Sequence, residues 1–140
     1  MIPKYIKRHF AETDRNFIRS TFQTVHHLAN THIAQELYIP EQTKIIDHLL
    51  SYSNTLIACF PEDPETIMGY IIYDLSDLGL ILHWYHIKSP YRQDNILLNE
   101  LLSYIYPNYN NELVMMTHNS PNRQPDNFVF NSYLIRKYLK

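Results

Sequence analysis

Histidine and tyrosine both move protons in catalysis, and this chain holds eight of the first and twelve of the second. The densest group is His83-Trp84-Tyr85-His86, inside the apolar run LILHWYHI; His118 follows a second apolar run, LVMMT, and Tyr133 lies near the C-terminus. His83 and His86 stand three apart, and on a regular strand such residues point to opposite faces, so the pair is not expected to converge on one metal ion. No metal site is expected. His26 and His27 are neighbours roughly 100° apart around a helix, which suits a solvated or capping role. Cys59, the only cysteine, sits inside TLIACF without a basic neighbour and reads as a small buried side chain rather than a nucleophile. Trp84, Tyr85 and Tyr91 are types that could stack bases, but aromatics on a central strand more often fill a core or line a groove. Lys4, Lys7 and Arg8 at one end, and Arg136, Lys137 and Lys140 at the other, read as solvated basic clusters.

These groups need a scaffold, and the hydrophobic periods supply one. Tyr5 to Phe10 predicts a first strand, and Ala11-Glu12-Thr13-Asp14 a polar helix start. Phe17, Ile18, Phe22, Val25, Leu28, Ala29 and Ile33 return at three-to-four spacing, the mark of an amphipathic helix. Pro40 suits the first turn of a second helix whose apolar face is Ile45, Ile46, Leu49 and Leu50. Three β-rich runs follow, Thr55 to Phe60, Ile67 to Tyr73 and Leu80 to Ile87, and predict an antiparallel meander. Asn95 to Tyr106 predicts a helix closed by Pro107, with Ile96 or Leu97, Leu98, Leu101, Leu102 and Ile105 on its apolar face. Leu113 to Thr117 predicts a buried strand. Pro121 and Pro125 bar a long helix from the polar stretch 119–127, and Phe128 to Leu139 is open to a last strand or a short helix, the strand being preferred.

Length and composition bound what this scaffold is. One domain spanning 1–140 is expected, with 45% hydrophobic and 19% charged residues, values of a chain that buries a core. A formal charge of −2 gives no reason to expect nucleic acid. The unpaired cysteine points to a reducing compartment, with cytoplasm the simplest address, and no apolar run is long enough to predict membrane insertion. Two glycines against eight prolines is an odd balance, because glycine normally supplies positive-φ turns and close approaches of backbone to phosphate.

The strand LILHWYHI leading through KSPYR into an amphipathic helix resembles the cofactor-binding core of the GNAT superfamily of N-acetyltransferases, and the element order β-α-α-β-β-β-α-β-β agrees with it. The end of the chain, with Thr117-His118 and Phe130-Asn131-Ser132-Tyr133-Leu134, is similar to phage-encoded members. The resemblance implies an α/β (α+β) fold, a GNAT-like mixed, mostly antiparallel sheet flanked by helices, with the C-terminal part shortened. It also implies acetyl-CoA as substrate: a bulged strand offers backbone to pantetheine, and an Arg/Gln-x-x-Gly-x-Gly/Ala loop offers amides to the pyrophosphate at a helix N-terminus, where the dipole favours an anion. Tyr85, Ile87 and Lys88 would lie along the pantetheine strand. Arg92, Gln93, Asp94, Asn95 and Leu97 would form the pyrophosphate loop. Arg92 matches the pattern, whereas Asn95 and Leu97 stand at its two small positions. Asn95 tolerates the left-handed region; Leu97 is expected to put an isobutyl group where phosphate approaches the backbone.

Amine acetylation requires loss of an amine proton, stabilisation of an oxyanion and protonation of the leaving thiolate. On this resemblance His83 or His86, with His118, would relay the amine proton, and Tyr133 would donate to sulfur. Two functions stay open: acetyl transfer from acetyl-CoA to an amine of unknown identity, or a non-catalytic binding or structural module of the same fold, such as a phage virion or host-interaction protein.

Overall fold

The computed structural model describes residues 2–122 and 124–139; Lys140 of the C-terminal basic cluster lies outside them. Strand β1 (Ile6–His9) and a 3-10 turn (Glu12–Asp14) lead into α1 (Arg15–Leu28), then α2 (Gln35–Tyr52). The meander follows as β2 (Asn54–Phe60), β3 (Asp63–Ser76) and β4 (Gly79–Ile87). After two 3-10 turns come α3 (Ile96–Ile105), β5 (Val114–Met116) and β6 (Phe128–Phe130). The six strands form one sheet in sequence order, antiparallel from β1 to β4 and parallel from β4 to β6. This is the α/β architecture expected: a mixed, mostly antiparallel sheet flanked by helices.

Each face of the sheet carries its own core. On one, Leu97, Leu98, Leu101 and Leu102 of α3 pack on Leu56, Ile71, Leu80 and Leu82. On the other, Ile18 and Phe22 of α1 and Ile46, Leu49 and Leu50 of α2 pack on Ile57, Tyr70 and Trp84. Cys59 is buried there. The period-2 alternation of the central strands and the helical period of α3 account for this division.

Three boundaries differ from the sequence expectation. The buried side chains of α1 are Ile18, Phe22 and His26, so histidine takes the third place on the stripe while Leu28 is 61% exposed and Ile33 lies beyond the helix. Pro40 falls inside α2 rather than in its first turn, where its missing N–H leaves the Glu36 carbonyl without an i+4 partner. The expected last strand ends at Phe130; Asn131 then accepts a hydrogen bond from the Tyr133 N–H at 3.1 Å and starts a 3-10 helix, Ser132–Lys137, anchored by buried Leu134.

One irregularity in the sheet bears on function. Across β3 and β4, Ile72 pairs with Trp84 but Tyr73 pairs with Leu82, so His83 is a bulged residue. The bulge resets the alternation, and His83 and Trp84 both turn toward the side of α1 and α2. The end of β4 is pressed against β3, where Gly69 has no room for a side chain: a Cβ there would stand 2.9 Å from the His86 carbonyl oxygen.

Candidate functional site

Strands β4 and β5 are paired only at Ile81–Met115 and Leu82–Met116. The Thr117 N–H makes a last bond to the Leu82 carbonyl at 3.3 Å, and beyond it the ladder between the two strands ends and they part. A cavity of about 220 Å³ opens in the gap, lined by Tyr85, His86 and Ile87 of β4, Tyr91, Arg92, Asn95 and Leu98 of the following loop and helix, Val25 of α1, and Ser120 and Asn122 of the segment after β5. Among the described residues, Arg92 is the only Lys or Arg in that lining.

The mouth of the cavity is built by the turns before α3. Arg92 Nε donates to the Ile87 carbonyl at 2.6 Å, which ties the guanidinium to the end of β4. Asp94 (φ 52°) and Asn95 (φ 55°) both occupy the left-handed region, which aspartate and asparagine tolerate better than other side chains. They deliver the chain into α3 with Asn95 as the N-cap, whose side chain makes no capping hydrogen bond among the described residues. An uncapped N-terminus beside an arginine favours an anion through its N–H groups and its dipole. Leu97 is not part of this surface. Its side chain is fully buried against the sheet, so the isobutyl group expected to obstruct the phosphate instead faces the core, because the second position of α3 falls on its apolar face.

Behind the gap lies a chain of buried polar groups. Asp74 Oδ2 accepts from Ser53 at 2.6 Å and stands 2.7 Å from His83 Nε2; His83 Nδ1 is 3.0 Å from Thr117 Oγ1, which is 3.0 Å from His118 Nδ1. His118 Nε2 lies 3.3 Å from Gln42 Nε2. Beside it, His26 Nδ1 meets the Tyr38 hydroxyl at 2.6 Å and His26 Nε2 meets Asn119 Oδ1 at 3.1 Å. His26 is thus a buried bonding partner, not the solvated or capping residue expected; His27 bonds the Ile33 carbonyl at 2.8 Å, closing the turn after α1.

Burial disfavours the charged imidazole and lowers His26 to about 4 and His118 to about 3, the latter helped by the neighbouring histidines. His86, half-buried, falls to about 4 through burial and the nearby charges of Arg92 and Lys88. Burial pushes the Tyr85 phenol up to about 12. These directions predict a pH effect on stability. Above pH 6.5 neither folded nor unfolded chain protonates His26 or His118. Below it the unfolded chain takes up protons that the folded one refuses, so stability is lost as pH falls from 6.5 toward 4, by up to about 1.4 kcal/mol per pH unit per histidine. Thermal melts from pH 7.5 to 5 should show a falling midpoint; a flat midpoint would contradict the burial of these rings.

No family model matches the chain, and no curated protein matches it. Solved structures do resemble it. A possible acetyltransferase from Clostridium difficile 630 is similar with a TM-score of 0.56 at 17% identity, covering 81% of this chain and 78% of its own. The apo form of YjaB from Escherichia coli gives 0.52 at 13% identity, over 75% and 68%. A predicted acetyltransferase from Clostridium acetobutylicum, solved with acetyl-CoA, gives 0.50 at 13% identity, over 94% and 97%. The fold is GNAT-like.

On the GNAT-like scaffold, the residues singled out from sequence separate into groups. Tyr85, His86, Ile87, Arg92 and Asn95 meet at the cavity. Lys88 stands just outside, its ammonium 5.1 Å from the centre of the Phe17 ring, and Gln93 is exposed in the turn. Asp94 faces a neighbouring cavity of about 450 Å³ with Asn99, Gln124 and Asp126. His83 and His118 join the buried chain. Tyr133 does not come to the gap: it is 74% exposed, its ring 5.6 Å from the Arg136 guanidinium, because the 3-10 helix after β6 turns it outward. The bulge also removes the argument that His83 and His86 face opposite sides; among the described residues, still, no group of three or more His, Cys, Asp or Glu is placed to hold a metal. Sequence reading missed Val25, Ser120, Asn122, Asp74, Gln42 and Thr117. Only Thr117, through its place in Thr117-His118, carried a local signal.

Among the described residues no helix is long and apolar enough to cross a membrane.

Proposed function

We propose that the protein is a CoA-dependent N-acyltransferase that moves an acetyl group from acetyl-CoA to an amine. The observation that carries this is the cavity between the diverging β4 and β5, with Arg92 at its mouth beside the uncapped start of α3. The amide-bearing pantetheine arm suits the gap, since the β4 backbone past Leu82 has lost its β5 partner there and such groups seek one. The pyrophosphate suits the free N–H groups of α3 and the Arg92 guanidinium. Tyr85 and Ile87 would flank the arm, and Asn95 would set the path of the loop without the glycine of the family pattern. His86, held neutral and lining the cavity, is the candidate for receiving the amine proton; His118 is buried outside the lining, its ring nitrogens engaged by Thr117 and Gln42.

Calorimetric titration with acetyl-CoA tests the reading. Wild type should bind, and Arg92→Ala should weaken binding about 10- to 100-fold, the loss of a charge-assisted contact. The melting temperature of the free variant should stay nearly unchanged, because Arg92 is exposed. A wild type that does not bind acetyl-CoA would overturn the reading and favour a non-catalytic module of the same fold; equal affinities would remove Arg92 from the site.

A further inference from the structure

The cavity passes through the sheet where β4 and β5 part. On the α3 side its walls include Tyr85, Ile87 and Leu98, which belong to the core beneath α3. On the other side it reaches Val25 of α1 and His86, whose ring stands 6.2 Å from that of Phe17 and 5.9 Å from that of Tyr70, residues of the α1 core. With acetyl-CoA held at Arg92 and the start of α3, the acceptor is left the α1 side. That mouth has a cation of its own. Lys88 lies two residues beyond His86 in the extended chain leaving β4, and its ammonium sits 5.1 Å from the centre of the Phe17 ring, so Phe17 bridges the two. Among the described residues no carboxylate pairs with Lys88. The nearest acids of α1, α2 and the preceding turn are committed elsewhere: Glu12 to Arg15, Asp14 to Arg8, and Asp47 to Arg15 and Arg19.

We propose that the acceptor is a small primary amine that itself carries an acidic group, a carboxylate or a phosphate, and that Lys88 sets this specificity by binding that group at the α1-side mouth. The inference rests on the acyl-transfer reading above. An ammonium approaching Lys88 and Arg92 meets like charge, which disfavours polyamines and other basic acceptors. An acidic group pairs instead with the half-buried Lys88, where water screens the contact less than at an open surface. A cavity of about 220 Å³ shared with the pantetheine arm leaves the acceptor a short reach, so amine and acid must lie a few bonds apart. The same two positive charges, which after burial help keep His86 neutral, also favour the unprotonated amine that attacks. In the step, the amine nitrogen bonds the thioester carbonyl carbon, and the carbon–sulfur bond breaks with its electron pair leaving on sulfur. The nitrogen gives up one proton and the sulfur takes one up, so the products are the amide and the free thiol, and the acidic group is unchanged.

A panel of paired acceptors at saturating acetyl-CoA tests the proposal: β-alanine against β-alaninamide, 2-aminoethyl phosphate against ethanolamine, and spermidine. At least one acid-bearing amine should exceed its neutral counterpart in kcat/KM by about tenfold or more, and which of the two does so tells carboxylate from phosphate. Lys88→Met, which keeps the stem over Phe17 and removes the charge, should shrink that preference at least about tenfold, through the KM of the acid-bearing amine. Lys88→Arg should retain the preference. Calorimetry should give Lys88→Met the wild-type dissociation constant for acetyl-CoA. A variant that instead loses acetyl-CoA affinity and keeps the acceptor preference would assign Lys88 to the cofactor and overturn the proposal. A wild type that binds acetyl-CoA but prefers the neutral amines or spermidine, or acetylates neither acid-bearing amine, overturns the acceptor class alone. A wild type that fails to bind acetyl-CoA removes the acyl-transfer reading and the acceptor class together.

Discussion

Leu97→Ala should destabilise the protein by about 2–5 kcal/mol and lower its thermal midpoint by on the order of 10 °C, while acetyl-CoA affinity, measured where the variant is still folded, should not change. Leu97 stands at the second position of α3, and its side chain is fully buried with Leu98, Leu101 and Leu102 against Leu80 and Leu82. Truncation therefore leaves a cavity in a close-packed layer, and the surrounding strands can collapse only in part. Only the Leu97 backbone belongs to the end of α3 proposed to meet the pyrophosphate, and alanine preserves it. For the same reason the double change Asn95→Gly and Leu97→Gly would chiefly unfold the protein: glycine adds up to about 1 kcal/mol to the loss at the helical position. Ile96→Ala, at 42% exposure on the neighbouring position, is the control. A Leu97→Ala midpoint no lower than that of the control would mean the helix faces the other way. A large gain in acetyl-CoA affinity would restore the side chain as an obstruction.

Asp14→Ala should cost about 3–5 kcal/mol, read from urea unfolding. Asp14 is 2% exposed and meets Arg8 through both oxygens, at 2.7 and 2.8 Å, while also accepting the Ala11 N–H at 2.8 Å. Arg8 in turn donates to the Pro64 carbonyl at 2.8 Å, so one ion pair ties β1, the start of α1 and β3 together. Removing the carboxylate leaves a largely covered guanidinium without its counter-charge, and that penalty exceeds the net worth of the pair. The consequence reaches the candidate site because α1 carries Val25 and His26. A double-mutant cycle with Arg8→Met separates the two contributions: the double variant should be destabilised by less than the sum of the single changes. Additive losses would show that the pair is not energetically coupled.

Much of this architecture was legible before any coordinates. The meander of β2, β3 and β4 and the apolar face of α3 follow from local periods, and each was expected within a few residues of where it lies. Asn95 was expected to accept a left-handed turn, and it has φ 55°. These features are short-range: side-chain spacing and the sterics of one residue determine them.

What the tertiary structure decided is the set of partners. The bulge at His83 comes from register against β3, and it turns His83 to Asp74, away from the place that strict alternation assigned to it. His26, read as solvated or capping, is buried among Phe22, Tyr38 and Trp84, with Asn119, far along the chain, 3.1 Å away. Leu97 is core because the helix start lies flat on the sheet, and Tyr133 is outside because the last strand stops at Phe130. The residue types and spacings of this sequence determined which elements form and which way each prefers to face. Strand register and the docking of distant segments decided which polar groups meet, because those depend on contacts between residues whose separation along the chain leaves no mark in any local pattern.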